Sequence, residues 1–169
     1  MISNTVSQKP GGSALPNRGP LLLTVLLLLV WNAASYAQQP DTDQVKAAID
    51  AYHAAIGSLD IAKMEPLWAH DANVMLVNPR AKSVSVGWAA VEKDWQATFD
   101  GDSELKVTQT EGPHIVVDGN VAWSTGIATA VGKLKSGASF NAPTFEVDVF
   151  TKRGGKWLLV SHTALRASQ

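Results

Sequence analysis

Past Gly101 the apolar residues of this chain stop recurring every three or four positions and begin to alternate, and the alternation continues to Leu165. A period of two sends side chains by turns to the two faces of a sheet. Residues 105–117, 121–133, 140–152 and 156–165 read as four strands, separated by Asp118-Gly119, Ser136-Gly137 and Gly154-Gly155. Such pairs accept the positive φ of tight hairpin turns, so consecutive strands are expected to lie antiparallel, side by side. A meander of this kind rules out a doubly wound parallel sheet.

Ahead of the meander the spacing is helical. Val45, Ala48, Ile49, Tyr52, Ile56 and Leu59 form one stripe of a helix over 41–59, with Asp41 or Thr42 as cap and Gly57 at a frayed end. Asp60 is placed to cap a short second helix bearing Ile61, Met64, Leu67 and Trp68, whose regularity Pro66 limits. Residues 73–77 read as a short strand closed by Asn78-Pro79, and 87–99 as a third helix with Trp88, Val91, Trp95 and Phe99 on one face. Helices followed by a meander make an α+β fold: N-terminal helices packed on a strongly curved, mainly antiparallel sheet. Such a sheet forms a cone-shaped α+β barrel, and a cone encloses a cavity.

The one long apolar run, LLLTVLLLLV at 21–30, precedes all of this. It follows a leader with Lys9, Arg18 and no acidic residue, and it leads to Ser35 and Ala37 at the −3 and −1 positions of a cut before Gln38. That order is a secretory signal peptide over 1–37. The run has about half the ~20 apolar residues of a spanning helix. The expected product is a secreted or periplasmic domain over 41–169, joined through a 38–40 linker, with no membrane attachment after cleavage. Removing the leader leaves 12 basic against 15 acidic residues, a balance that speaks against a nucleic-acid partner. The chain has no cysteine, which excludes disulfides and thiol chemistry.

Three segments are similar to a known family. They are the C-terminal hairpin from Val147 through Lys152-Arg153-Gly154-Gly155-Lys156-Trp157 to His162, the element Leu67-Trp68-Ala69-His70-Asp71-Ala72-Asn73-Val74, and the hairpin Val117-Asp118-Gly119-Asn120-Val121-Ala122-Trp123. With the element order, they resemble the SnoaL-like branch of the nuclear transport factor 2-like superfamily over nearly all of 41–167. That superfamily includes ketosteroid isomerase, scytalone dehydratase, limonene epoxide hydrolase, polyketide cyclases and members without chemistry. Many SnoaL-like members carry Arg-x-Thr where this chain has Phe145-Glu146-Val147, and His-x-His-x-Ser where it has Ser161-His162-Thr163. The resemblance therefore implies the fold and leaves the chemistry of the cavity to this chain's own residues.

Among those residues, strict alternation places His162 with Leu158, Val160 and Ala164 on one face of the last strand, and Trp157, Leu159, Ser161 and Thr163 on the other. On the preceding strand Glu146, Asp148 and Phe150 point one way and Phe145, Val147 and Val149 the other. Asp148 and His162 are the expected acid/base pair, with the Tyr52 hydroxyl orienting the ligand. A solvated outer face with Glu146 paired to Lys152 or Arg153 is the alternative. Trp68, Trp88, Trp123 and Phe150 are expected to line the ligand space, with Trp95 as a further ring on the same side. Asp71 is expected to cap a turn, His53 to be exposed, and His114, after Gly112-Pro113, to sit at a bulge. No metal-ligand spacing or phosphate-binding loop occurs, so no cofactor is implied.

Two functions fit these features. One is an exported domain that holds a small, largely apolar organic molecule in its cone, with cofactor-free acid/base chemistry of the isomerase, dehydratase or hydrolase type. The other is a non-catalytic association module that homodimerises through its sheet face.

Overall fold

A computed structural model describes Met1 and residues 40–167. The expected leader over 1–37 and its cleavage after Ala37 lie outside the described residues. Helix α1 (Asp41–Ser58) is followed by the single turn α2 (Ile61–Met64), a 3-10 turn (Glu65–Leu67), strands β1 (Met75–Val77) and β2 (Ser85–Val86), and helix α3 (Trp88–Gly101). The meander follows as β3 (Asp102–Asp118), β4 (Val121–Leu134), β5 (Ser139–Arg153) and β6 (Lys156–Arg166). The strand order is β2-β1-β6-β5-β4-β3, antiparallel except where β1 runs parallel to β6. This is the expected cone-shaped α+β fold.

Local sequence explains the ends of the elements. Gly154 and Gly155 carry φ of 54° and 79° between Arg153 and Lys156, as a two-residue primed turn requires. The Asp60 carboxylate accepts from the Ala62 N–H at 3.0 Å and starts α2. Gly57, expected at a frayed end, lies inside α1, and Leu59 caps the helix in the left-handed conformation. A Cβ at Gly57 would stand 3.2 Å from the Leu105 carbonyl oxygen, so this glycine lets α1 approach β3 closely. Asp41 and Thr42 do not cap α1: Pro40 occupies the N-cap and Asp41 pairs with Lys152.

The inner face of the sheet and the helices enclose one apolar core that includes Val45, Ile49, Tyr52, Met64, Trp68, Val91, Trp95, Phe99, Phe150 and Leu159. The alternation on β6 is interrupted. The β5 partners pass from Val149↔Ser161 to Phe150↔Leu159, so Val160 is the extra residue of a bulge. Trp157 and Leu159 are therefore buried on the same side as His162 and Ala164, whereas strict alternation had set them on opposite faces. A second irregularity lies between Glu111 and His114, as expected there.

Candidate functional site

Three neighbouring strands place Ser124, Asp148 and His162 in one cross-strand row. All three are at most 3 % exposed. His162 Nδ1 lies 2.7 Å from Asp148 Oδ1, and the Ser124 hydroxyl donates to Asp148 Oδ2 at 3.2 Å. A carboxylate only accepts, so Nδ1 carries a proton and Nε2 is the ring nitrogen left for a ligand. Burial pulls the His162 imidazolium down, but its hydrogen bond to Asp148 and the charges of Asp148 and Glu146 outweigh burial and raise its pKa above 6.5.

One inward step along β5 stands Glu146, opposite Gly126 and Ala164. Neither neighbour offers a polar side chain. Its partner comes from α1, where His53 Nε2 donates to Glu146 Oε2 at 3.0 Å. His53 is 8 % exposed and Glu146 6 %, so both expectations of solvent exposure are corrected. The reason lies in the helix stripe: His53 is four residues from Ile49 and three from Ile56, on the buried face. Two imidazole–carboxylate pairs thus stand side by side, each joining elements distant in sequence.

A cavity of about 150 Å³ opens onto this arrangement. Glu146 and His162 line it, whereas Asp148 and His53 stand behind them as their partners. The walls are largely apolar, including Ile56, Trp95, Leu105, Val107, Ala142 and Ala164, and Arg80 and Arg166 also line it. The expected pair of Asp148 and His162 is therefore together, but only His162 faces the ligand space. Tyr52 is also beside His162, ring edge against ring at 4.9 Å between centroids. Its hydroxyl is buried with no hydrogen-bond partner among the described residues, and its pKa is raised well above 10 by burial and by the nearby charges of Asp148, Glu146 and Asp94. Tyr52 does not line the cavity; it fixes the ring of His162 from behind.

The aromatic expectations are largely corrected. Trp68 and Phe150 are core residues, 2 % and 1 % exposed, and do not line the cavity. Trp88 packs beside Trp68 and stacks on His70 at 4.3 Å, away from that space. Trp123 is on the opposite face of the sheet and 42 % exposed, because odd-numbered positions of this part of β4 point outward. Trp95, from α3, is the tryptophan that reaches the cavity. Asp71 caps no turn with its side chain: it binds Arg153 through two hydrogen bonds, which hold its carboxyl below the usual range.

The sequence profile of the SnoaL-like domain matches residues 45–164, which span every one of these elements except the first turn of α1 and the end of β6. The chain belongs to the SnoaL-like domain family. Solved structures share its fold. An NTF2-like superfamily protein from Salmonella enterica serovar Typhimurium superposes with a TM-score of 0.70 at 17 % identity, over 76 % of this chain and 92 % of that one. A protein from Streptomyces avermitilis, provisionally assigned as a dehydratase of the NTF2-like family, gives 0.69 at 22 % identity, over 77 % and 100 %. A ketosteroid isomerase-like protein from Erwinia carotovora atroseptica gives 0.65 at 18 % identity, over 78 % and 99 %. No curated protein sequence matches. At these identities the SnoaL-like domain shares a scaffold with the three proteins, and its chemistry rests on its own side chains.

Proposed function

We propose that this SnoaL-like domain binds a small, largely apolar organic molecule in its cavity and moves a proton on it without a cofactor. The observation that carries the reading is the pair of groups presented to the cavity, Glu146 and His162, each backed by a buried partner of opposite character. Glu146 takes a proton from a carbon made acidic by a neighbouring carbonyl. His162, protonated through its raised pKa, donates from Nε2 to the oxygen where charge develops. His53 and Asp148 hold the two groups in place through their hydrogen bonds. Relayed back to a second carbon, the same proton gives an isomerisation; with loss of a protonated hydroxyl it gives a dehydration. The test is exchange of activated C–H for solvent deuterium across a panel of small ketones, enones and β-hydroxy carbonyl compounds. Glu146→Gln is expected to slow it at least about 100-fold.

The leader leads us to propose that the domain acts outside the cytoplasm, in the periplasm or secreted, after cleavage near Ala37. A second reading, a homodimerising association module, draws on the outer face of the sheet. Val116, Val121, Trp123, Val131, Phe145 and Val147 are each 42–48 % or, for Phe145, 52 % exposed there. Exposed apolar residues on one sheet face suit a contact with a second copy of the chain. The two readings are compatible, because that face and the cavity lie on opposite sides of the sheet.

A further inference from the structure

The polar groups of the cavity are set by the register of β5 and β6. Glu146 stands directly opposite Ala164, and Thr144 directly opposite Arg166. His162 and Arg166 are the inner positions on either side of Ala164, so each is a diagonal neighbour of Glu146, about 7 Å away across the ladder. Glu146, His162, Ala164 and Arg166 all line the cavity. Beyond Thr144 the walls turn apolar, with Ala142 and Ala130 opposite each other and Val107 and Leu105 following on β3.

Each of the three polar groups keeps an atom for a ligand. His53 binds Oε2 of Glu146, which leaves Oε1. Asp148 holds Nδ1 of His162, which leaves Nε2. The Arg166 guanidinium is exposed and has no hydrogen bond or ion pair among the described residues. Arg80, the other arginine of the cavity, is committed to Asp102 through hydrogen bonds of 3.1 and 2.7 Å. Along β6 the order is therefore donor, small residue, donor, with a carboxylate facing the small residue. A single ketone oxygen occupies one donor and leaves the second without a partner. Two carbonyl oxygens on either side of one carbon occupy both donors and bring that carbon to the carboxylate.

We infer that the ligand is a 1,3-dicarbonyl compound, with one oxygen on His162 Nε2, the other on the Arg166 guanidinium, and the carbon between them at Glu146. Glu146 Oε1 takes a proton from that carbon, and the electron pair left behind spreads over both oxygens, where the two donors meet it. The second carbonyl also makes the C–H far more acidic than that of a simple ketone, which suits a carboxylate base. The apolar walls beyond Thr144 take the rest of a small molecule, since a cavity of about 150 Å³ admits one six-membered ring. The role of Glu146 rests on the proton-transfer reading above; the pairing of two oxygens with His162 and Arg166 does not.

Calorimetric titration at neutral pH with cyclohexane-1,3-dione, cyclohex-2-enone and benzoate tests the two parts separately. The dione stands largely as its enolate in neutral water and carries two oxygens flanking one carbon. The enone has the same ring and one oxygen, and benzoate has the charge but both oxygens on one carbon. The dione is expected to bind at least about tenfold more tightly than either of the others. Arg166→Gln, a change at an exposed position, is expected to remove most of that preference. Equal binding of dione and enone overturns the inference, as does benzoate binding as tightly as the dione, a preference that survives Arg166→Gln, or no binding of the dione. Binding of the enolate is expected to take up a proton at Glu146, read as a dependence of the binding heat on the ionisation heat of the buffer, and Glu146→Gln to abolish that uptake. If the dione is preferred through Arg166 but no proton is taken up, the recognition of two oxygens stands and the proton-transfer reading falls.

Discussion

At the scale of single residues, His162 decides most. It is 2 % exposed, and burial opposes its charge, yet the Asp148 carboxylate at 2.7 Å and the charge of Glu146 leave its pKa raised. A raised folded-state value means that the folded protein holds the proton more tightly than the unfolded chain. The resulting stabilisation is complete below the unfolded value of 6.5 and is lost as pH rises through the folded value. The deficit in stability of His162→Gln, measured by urea unfolding, is therefore expected to be larger at about pH 6 than at about pH 9. The ring-nitrogen shifts of His162 are expected to titrate with a midpoint above 6.5. A midpoint below 6.5, or a deficit that grows with pH, would show that burial wins over the carboxylates.

At the scale of elements, β5 carries both carboxylates of the proposed site, and β6 and α1 supply their imidazole partners. The alternation that puts Glu146 and Asp148 on one face was legible from residues 145–150 alone, because apolar and acidic positions take turns there. Which of the two carboxylates meets the cavity was not legible, because that depends on partners from β6 and α1, more than a dozen residues away in either direction. The helix stripe through Ile49 and Ile56 contained the signal for a buried His53. The bulge at Val160 carried no comparable signal: it is set by the pairing of two strands, and it moved Trp157 and Leu159 to the inner face. Arg80 escaped notice for a similar reason, since only the fold brings it to Asp102 at the junction of α3 and β3. Removing it leaves a carboxylate that is 1 % exposed without either of its two hydrogen bonds. Arg80→Ala is expected to cost about 3 kcal/mol in urea unfolding, where a loss under about 1 kcal/mol would show that solvent reaches Asp102.

At the scale of the whole molecule, the sheet separates two surfaces of different character. Its inner face closes the cavity, while its outer face exposes Trp123 at 42 % and Phe145 at 52 %. Five tryptophans in the chain beyond the leader suggested a ring-lined ligand space, and most of them serve the core or the outer face instead. A homodimer through the outer face is expected in light-scattering measurements of the domain over 38–169. Phe145→Lys with Trp123→Lys is expected to yield a folded monomer, and a monomer before substitution would remove the outer face as an interface.

In the proposed function Glu146 and His162 act together as base and acid on a ligand in the cavity. Solvent-deuterium exchange into small carbonyl compounds, compared between the unaltered domain and Glu146→Gln, reads that joint action at the reacting carbon. Exchange into at least one compound of the panel is expected, slowed at least about 100-fold by Glu146→Gln, with Asp148→Asn slowing it by displacing the proton equilibrium of His162. No exchange into any compound, or exchange at an undiminished rate in Glu146→Gln, would rule out Glu146 as the base.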